Sequence, residues 1–280
     1  MSSWQRIPLV IRAIAIGFTV STLGVAAWVA VASTGPAPWS VGLMAILLWA
    51  FWKYFSGSGW PKSTALYRRE SMRRTTLTPA VWRLGLAAAA CFVVAFQSGL
   101  VVTFRIMPIP SEALTSEYNL GAAPLWLAWA VIVMASLVAG ICEEIGFRGY
   151  MQVPLEKRYG PVPAIAIVLV VFLAAHLHQA WLPAFFIVGI YGSIMLGVLA
   201  WASGSLIPGI VGHVVMDVCN FSYWWSDVAG KFEKQPISVT GVDTHFLISV
   251  GVLATSIALF TLLVRRLLAG RREEAGQEPR

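Results

Sequence analysis

Residues Gly121 to Ile141 carry no charge, and the run ends against Cys142-Glu143-Glu144-Ile145-Gly146-Phe147-Arg148-Gly149-Tyr150. An apolar stretch of that length predicts a membrane-spanning helix. One charge at the centre of such a helix costs on the order of 3 kcal/mol on insertion scales. Two adjacent acids followed by a guanidinium therefore restrict the fold to one that shelters them from lipid. Neighbouring helical positions diverge by about 100°, so Glu143 and Glu144 point to different places. Glu144 and Arg148 stand at i, i+4 and are expected to pair, which leaves Glu143 to face a cavity.

The rest of the composition agrees with a chain built for a bilayer. It is 58% hydrophobic and 12% charged, about half the charge of a soluble domain. The expected class is all-α, a polytopic membrane protein formed as a bundle of about eight transmembrane helices. Net charge is +7, yet the basic residues lie in loops between apolar runs, without the aromatic platform of a nucleic-acid site. Nucleic acid is excluded as a partner on that ground. Cys91, Cys142 and Cys219 fall in apolar segments with neither disulfide nor metal spacing and read as buried thiols.

Spans are expected at about Ile14–Ala32, Trp39–Phe55, Val81–Phe104, Pro124–Phe147, Val162–His178, Ala184–Ala202, Leu206–Phe221 and Phe246–Val264. The first has a small-x-small end at Ala30-Val31-Ala32, but its apolar core is longer than that of a signal peptide, which favours a retained span. Pro36 and Pro38 mark the turn after it. Ser56 to Pro79 holds Lys62, Arg68, Arg69, Arg73 and Arg74 against Glu70 alone, and is expected to be a cytoplasmic loop that also touches anionic lipid. Glu112 and Glu117 mark an external loop. Tyr223, Trp224 and Trp225 suggest an outer aromatic belt, followed by an external loop to His245. Sixteen of the twenty Lys and Arg residues fall at the inner face in this arrangement, so both termini are expected in the cytoplasm.

The acids and histidines of the spans are Glu143, Glu144, His176, His178, His213 and Asp217, with Arg148 at the end of the fourth. They occupy three helices only, which points to one shared polar site. His213 and Asp217 share a helix face at i, i+4, and Phe172 stands at the same spacing from His176, where it can wall the site. His178 lies about 200° round from His176 and reads as interfacial, beside Gln179 and Trp181. His245 is expected to have no role.

A carboxylate and two histidines can position and deprotonate a water for attack on a carbonyl. The trio Glu143, His176 and His213 equally matches the three protein ligands of a catalytic divalent metal such as zinc, although no His-Glu-x-x-His is present. Asp217 can orient His213 in either scheme. A proton or ion relay in a transporter is the competing use of such residues. No internal repeat relates two halves of the chain, which many transporters show. A non-proteolytic membrane scaffold is the third class.

Glu143-Glu144-x-x-Phe147-Arg148-Gly149, Phe172-x-x-x-His176 and His213-x-x-x-Asp217 after Ser205-Leu206-Ile207-Pro208 resemble the motifs of the CPBP family. This is the group of CAAX prenyl endopeptidases and bacteriocin-processing or abortive-infection proteins. The resemblance covers about Pro124 to Phe221. It implies an eight-helix intramembrane endopeptidase of a bacterial cytoplasmic membrane, acting on a peptide or membrane-protein substrate. It divides the chain into an N-terminal hairpin and basic loop (1–79), a protease core (80–222) and an external loop with the last helix and basic tail (223–280). Carried over, Glu143 and His176 activate the water, His213 and Asp217 hold the oxyanion, and Glu144 and Arg148 support them. Many members have Asn where this chain has Asp217, and an ionised carboxylate cannot donate to an oxyanion. The resemblance leaves open a metal-free glutamate mechanism or a metal-dependent one.

Overall fold

The computed structural model describes residues 3–33, 35, 37–73, 77–107, 120–177 and 183–277. Pro36, Arg74, Glu112, Glu117, His178, Gln179 and Trp181 lie outside them. The protein is an all-α polytopic membrane protein, with no strand among the described residues.

The main elements are α1 (Leu9–Ala32), α2 (Pro38–Phe55), α3 (Ala65–Ser71), α4 (Pro79–Ile106), α5 (Leu125–Glu143), α6 (Gln152–Tyr159), α7 (Pro161–Ala175), α8 (Pro183–Ser203), α9 (Ile207–Cys219) and α10 (Thr244–Gln277). Proline sits in the first turn of α2, α4, α7 and α9, where its missing N–H leaves no bond unmade. Two π-helical segments, Glu144–Met151 and Asn220–Trp224, continue α5 and α9.

Among the described residues, five helical stretches are long and apolar enough to cross a membrane: Leu9–Ala32, Pro79–Ile106, Leu125–Tyr159, Phe186–Ser203 and Thr244–Arg271. The expected second, fifth and seventh spans are helices outside that set, so the count of eight is not established. α7 stops at Ala175 and does not reach His178, because His176 turns out of the helix at φ −102°, ψ 15°. The last helix instead overruns its expected end at Val264. Its basic tail is rich in Arg, Leu, Ala and Glu, good helix formers that carry the helix through Gly270 and Gly276, with no proline to stop it before Gln277. Many apolar side chains of α1, α2 and α10 face outward, such as Leu23, Ile46, Trp49, Leu247 and Leu259. That is the surface of a protein solvated by lipid.

The 56–79 loop is more than a topology signal. Arg68 is buried, and its guanidinium donates to the carbonyls of Tyr54 and Pro61. Arg73 pairs with Glu156 at 2.7 Å and donates to the Arg148 carbonyl, while Lys157 pairs with Glu70 at 2.8 Å. The loop is thus bound to α6 and to the first π-segment. The opposite end of α4 is tied down by Arg105, which is wholly buried. It makes a two-pronged pair with Asp243 at 2.8 and 3.2 Å and donates to Thr240 at 2.9 Å. His245 Nδ1 stands 2.9 Å from the same guanidinium, so the residue expected to have no role helps to anchor the loop. The Arg105 hydrogen bond holds the Asp243 carboxyl down at about 2.

The aromatic belt expected at 223–225 is also revised. Trp224 is buried, stacked on Phe104 at 4.7 Å and against Phe232 at 4.9 Å. In the π-helix that continues α9, Trp224 lies inside and Tyr223 is half-buried, as is Trp225 just after it.

Candidate active site

The π-helix begins at Glu144, the second of the two adjacent acids. The N–H of Gln152 reaches back to the Phe147 carbonyl, five residues earlier. This wider turn is costly in a plain helix and recurs at functional sites. Here it brings Glu144, Phe147 and Arg148 together in a wholly buried patch. Tight packing against α1 holds it there. A Cβ on Gly146 would lie 2.5 Å from the Gly17 carbonyl, and one on Gly17 would lie 2.7 Å from the Gly146 carbonyl. Two backbones meet at this crossing, and only glycine fits on both sides.

Glu144 Oε1 serves two groups at once. It forms an ion pair with Arg148 Nη1 at 3.1 Å and accepts a hydrogen bond from His213 Nδ1 at 2.9 Å. Arg148 also donates through Nη2 to the Ser193 carbonyl and hydroxyl, and its guanidinium stacks 5.0 Å from the Phe172 ring centre. The pairing expected of Glu144 with Arg148 is present, and with it a second role: Glu144 orients the His213 ring. A carboxylate accepts and cannot donate, so His213 carries a proton on Nδ1 and turns Nε2 the other way. Nε2 then faces Asp217 Oδ2 at 3.5 Å and Glu143 Oε2 at 4.0 Å.

His176 is fixed by a similar device from α7. Its Nδ1 donates to the Phe172 carbonyl at 2.8 Å, and the two rings lie 4.3 Å apart. In the neutral ring this makes Nε2 the accepting nitrogen.

These groups surround one cavity of about 150 Å³, lined by Glu143, Phe172, His176, His213, Asp217 and Asn220, with Phe92, Phe96, Leu196, Met216 and Trp225 as apolar wall. At about 30 Å³ per water, that is room for a few water molecules beside a reacting group. Glu144 and Arg148 lie behind this lining. Among the described residues, no three His, Cys, Asp or Glu side chains come together closely enough to hold a metal ion. Glu143, His176 and His213 do not form such a group there.

Sequence reasoning followed charge and missed the uncharged polar residues. Gln97, a lone amide in α4, bonds Asn220, and Trp224 bonds Gln97. Asn220 follows Asp217 by three positions, and that spacing was the available signal.

Residues 124–219 match the family model of type II CAAX prenyl endopeptidases, Rce1-like. The similarity is confined to that segment. The matched segment contains α5, the first π-segment and α6 to α9, so it carries every acidic and histidine side chain of the cavity. At family level the Rce1-like segment supports a CAAX-type intramembrane protease, an integral membrane protein whose substrate is a peptide or protein. No curated protein and no solved structure matched the chain.

Proposed function

We propose that this protein is an intramembrane endopeptidase in which Glu143 activates a water for attack on a peptide carbonyl. The observation that carries the reading is the 4.0 Å gap between Glu143 Oε2 and His213 Nε2 at the cavity wall. One water can lie within hydrogen-bond reach of both atoms, with its oxygen turned to the cavity. Glu143 takes a proton as the water oxygen bonds to the carbonyl carbon. Collapse of the tetrahedral intermediate expels the amine, which receives that proton. His213, held by Glu144, steadies the water and its proton between Glu143 and Asp217. Because Nε2 is directed at two carboxylates, His213 is assigned here to the water and not to the oxyanion. His176 presents Nε2 from the facing wall, beside the aromatic ring of Phe172.

A positioned base contributes typically 10²–10⁴-fold. The aromatic and aliphatic wall favours a substrate with an apolar segment beside the scissile bond. The test is cleavage of a peptide library by the purified full chain in detergent or proteoliposomes, with and without chelator. Cleavage at defined sites supports the endopeptidase, and loss on chelation would return the reaction to a metal. Solute flux without cleavage would favour the transporter.

A further inference from the structure

Attack on a carbonyl places negative charge on its oxygen, and a site for this reaction needs a hydrogen-bond donor there. The groups named above leave no donor free for it. Glu143 and Asp217 are carboxylates, any proton on His213 Nε2 is directed at both of them, and the His176 proton is used on the Phe172 carbonyl.

Asn220 also lines the cavity, within hydrogen-bonding reach of Asp217. Which end of its amide faces inward is set by a chain of groups that can each play one role. The Trp224 indole can only donate, and its Nε1 donates to Gln97 Oε1 at 2.8 Å. The Met216 carbonyl can only accept, and it takes Gln97 Nε2 at 3.3 Å. Both contacts fix the same orientation of the Gln97 amide. Gln97 Nε2 then donates to Asn220 Oδ1 at 2.9 Å. The oxygen of Asn220 is thereby turned to α4, and its NH₂ is turned toward Asp217 and the cavity. The anchor is stiff, since Trp224 is clamped by Phe104 and Phe232. The π-helix at 220–224 carries both ends of the chain.

We propose that Asn220 is a catalytic donor: its amide N–H, aimed by Gln97 and Trp224, hydrogen-bonds the oxygen of the scissile carbonyl as that oxygen gains charge. This rests on the endopeptidase reading. When the water oxygen bonds to the carbonyl carbon, the C=O π electrons move to the oxygen and Asn220 stabilises them. When the C–N bond breaks, they return to re-form the carbonyl, and the amine leaves with the proton from Glu143. Gln97 and Trp224 are positioning residues that never touch the substrate.

The experiment uses the purified full chain and a peptide cleaved by the wild type. Asn220→Ala should lower kcat by roughly 10²–10³-fold, the usual loss for one such donor, with KM and Tm little changed. Gln97→Glu is the sharper variant. A carboxylate still accepts from Trp224 but cannot donate to Asn220, so the amide turns and shows its oxygen to the cavity. It should lose kcat by a similar factor, and binding of a peptide aldehyde should weaken in step while product peptide binds as before. Asn220→Ser, which keeps a short donor, should recover part of the rate, and it serves if Gln97→Glu does not fold. Asn220→Ala cleaving within a few-fold of wild type, or raising KM alone, overturns the proposal while the endopeptidase stands. A wild type that cleaves nothing overturns both.

Discussion

Glu144 is the residue on which the orientation of its neighbours depends, since one of its oxygens serves both Arg148 and His213. Its other oxygen has no hydrogen-bond partner among the described residues and packs near Gly209, where a Cβ would lie 3.3 Å away. Removing one partner of a fully buried ion pair costs about 3–5 kcal/mol, because the remaining charge stays buried and uncompensated. Arg148→Ala is therefore expected to lower the melting temperature by many degrees and to abolish cleavage together with it. Glu144→Gln should do the same through a stranded Arg148. Thermal melts of the purified variants check this, and an unchanged Tm in both would show that the pair is not what holds the patch together. The acids were legible in the sequence because charge inside an apolar run stands out. The role of Glu144 at His213 was not, since those residues are far apart in the chain and only the packing of α9 on α5 joins them.

The elements show the same division between pattern and packing. Apolar runs and their proline or basic boundaries located most of the helices to within a few residues. The two π-segments were not legible: Gly146 and Gly149 weaken a plain helix over Glu144–Met151 but do not specify a widened turn, and Asn220–Trp224 carries no glycine or proline. Trp224 read as interfacial by residue type, and only the widened turn sends it inward. Helix ends were missed where a side chain decides them, as His176 does by bonding the Phe172 carbonyl. The first π-segment depends on the close crossing with α1, which lies outside the segment matched to the family. Gly146→Ala and Gly17→Ala are each expected to destabilise the protein by roughly 1–3 kcal/mol, the usual cost of overpacking. Because this shifts the base of Glu144 and Arg148, activity should fall with stability. Melts and cleavage rates of these variants measure it, and a Gly17→Ala protein as stable and active as wild type would contradict a supporting role for α1.

At the scale of the molecule, arginines tie down both ends of the bundle. At one end the basic 56–79 loop is bound through Arg68 and Arg73, and Arg271 donates to the Trp201 carbonyl at 2.7 Å. At the other, Arg105 and Asp243 tie the 223–245 segment to α4. Cysteine labelling in intact cells should find the 56–79 loop and the chain beyond Val264 protected, and Lys231→Cys accessible from outside. The reverse pattern would invert the orientation. Asp243 titrates at about 2 in the folded protein, below the usual carboxylate value of about 3.9. A depressed folded value stabilises the protein above the unfolded value, and that contribution is lost as pH falls through the folded one. The Tm advantage of wild type over Asp243→Asn should thus hold above about pH 5 and close as pH falls toward 2. A gap that does not change with pH would remove the carboxylate from that account. The central claim is that Glu143 is the base of a peptide hydrolase, and it is tested most directly by cleavage with Glu143→Gln. The amide keeps the shape of the side chain but cannot take a proton from water. The account predicts a rate lower by about 10²–10⁴-fold at an unchanged Tm, measured on the same preparation. Near wild-type cleavage by Glu143→Gln would contradict it.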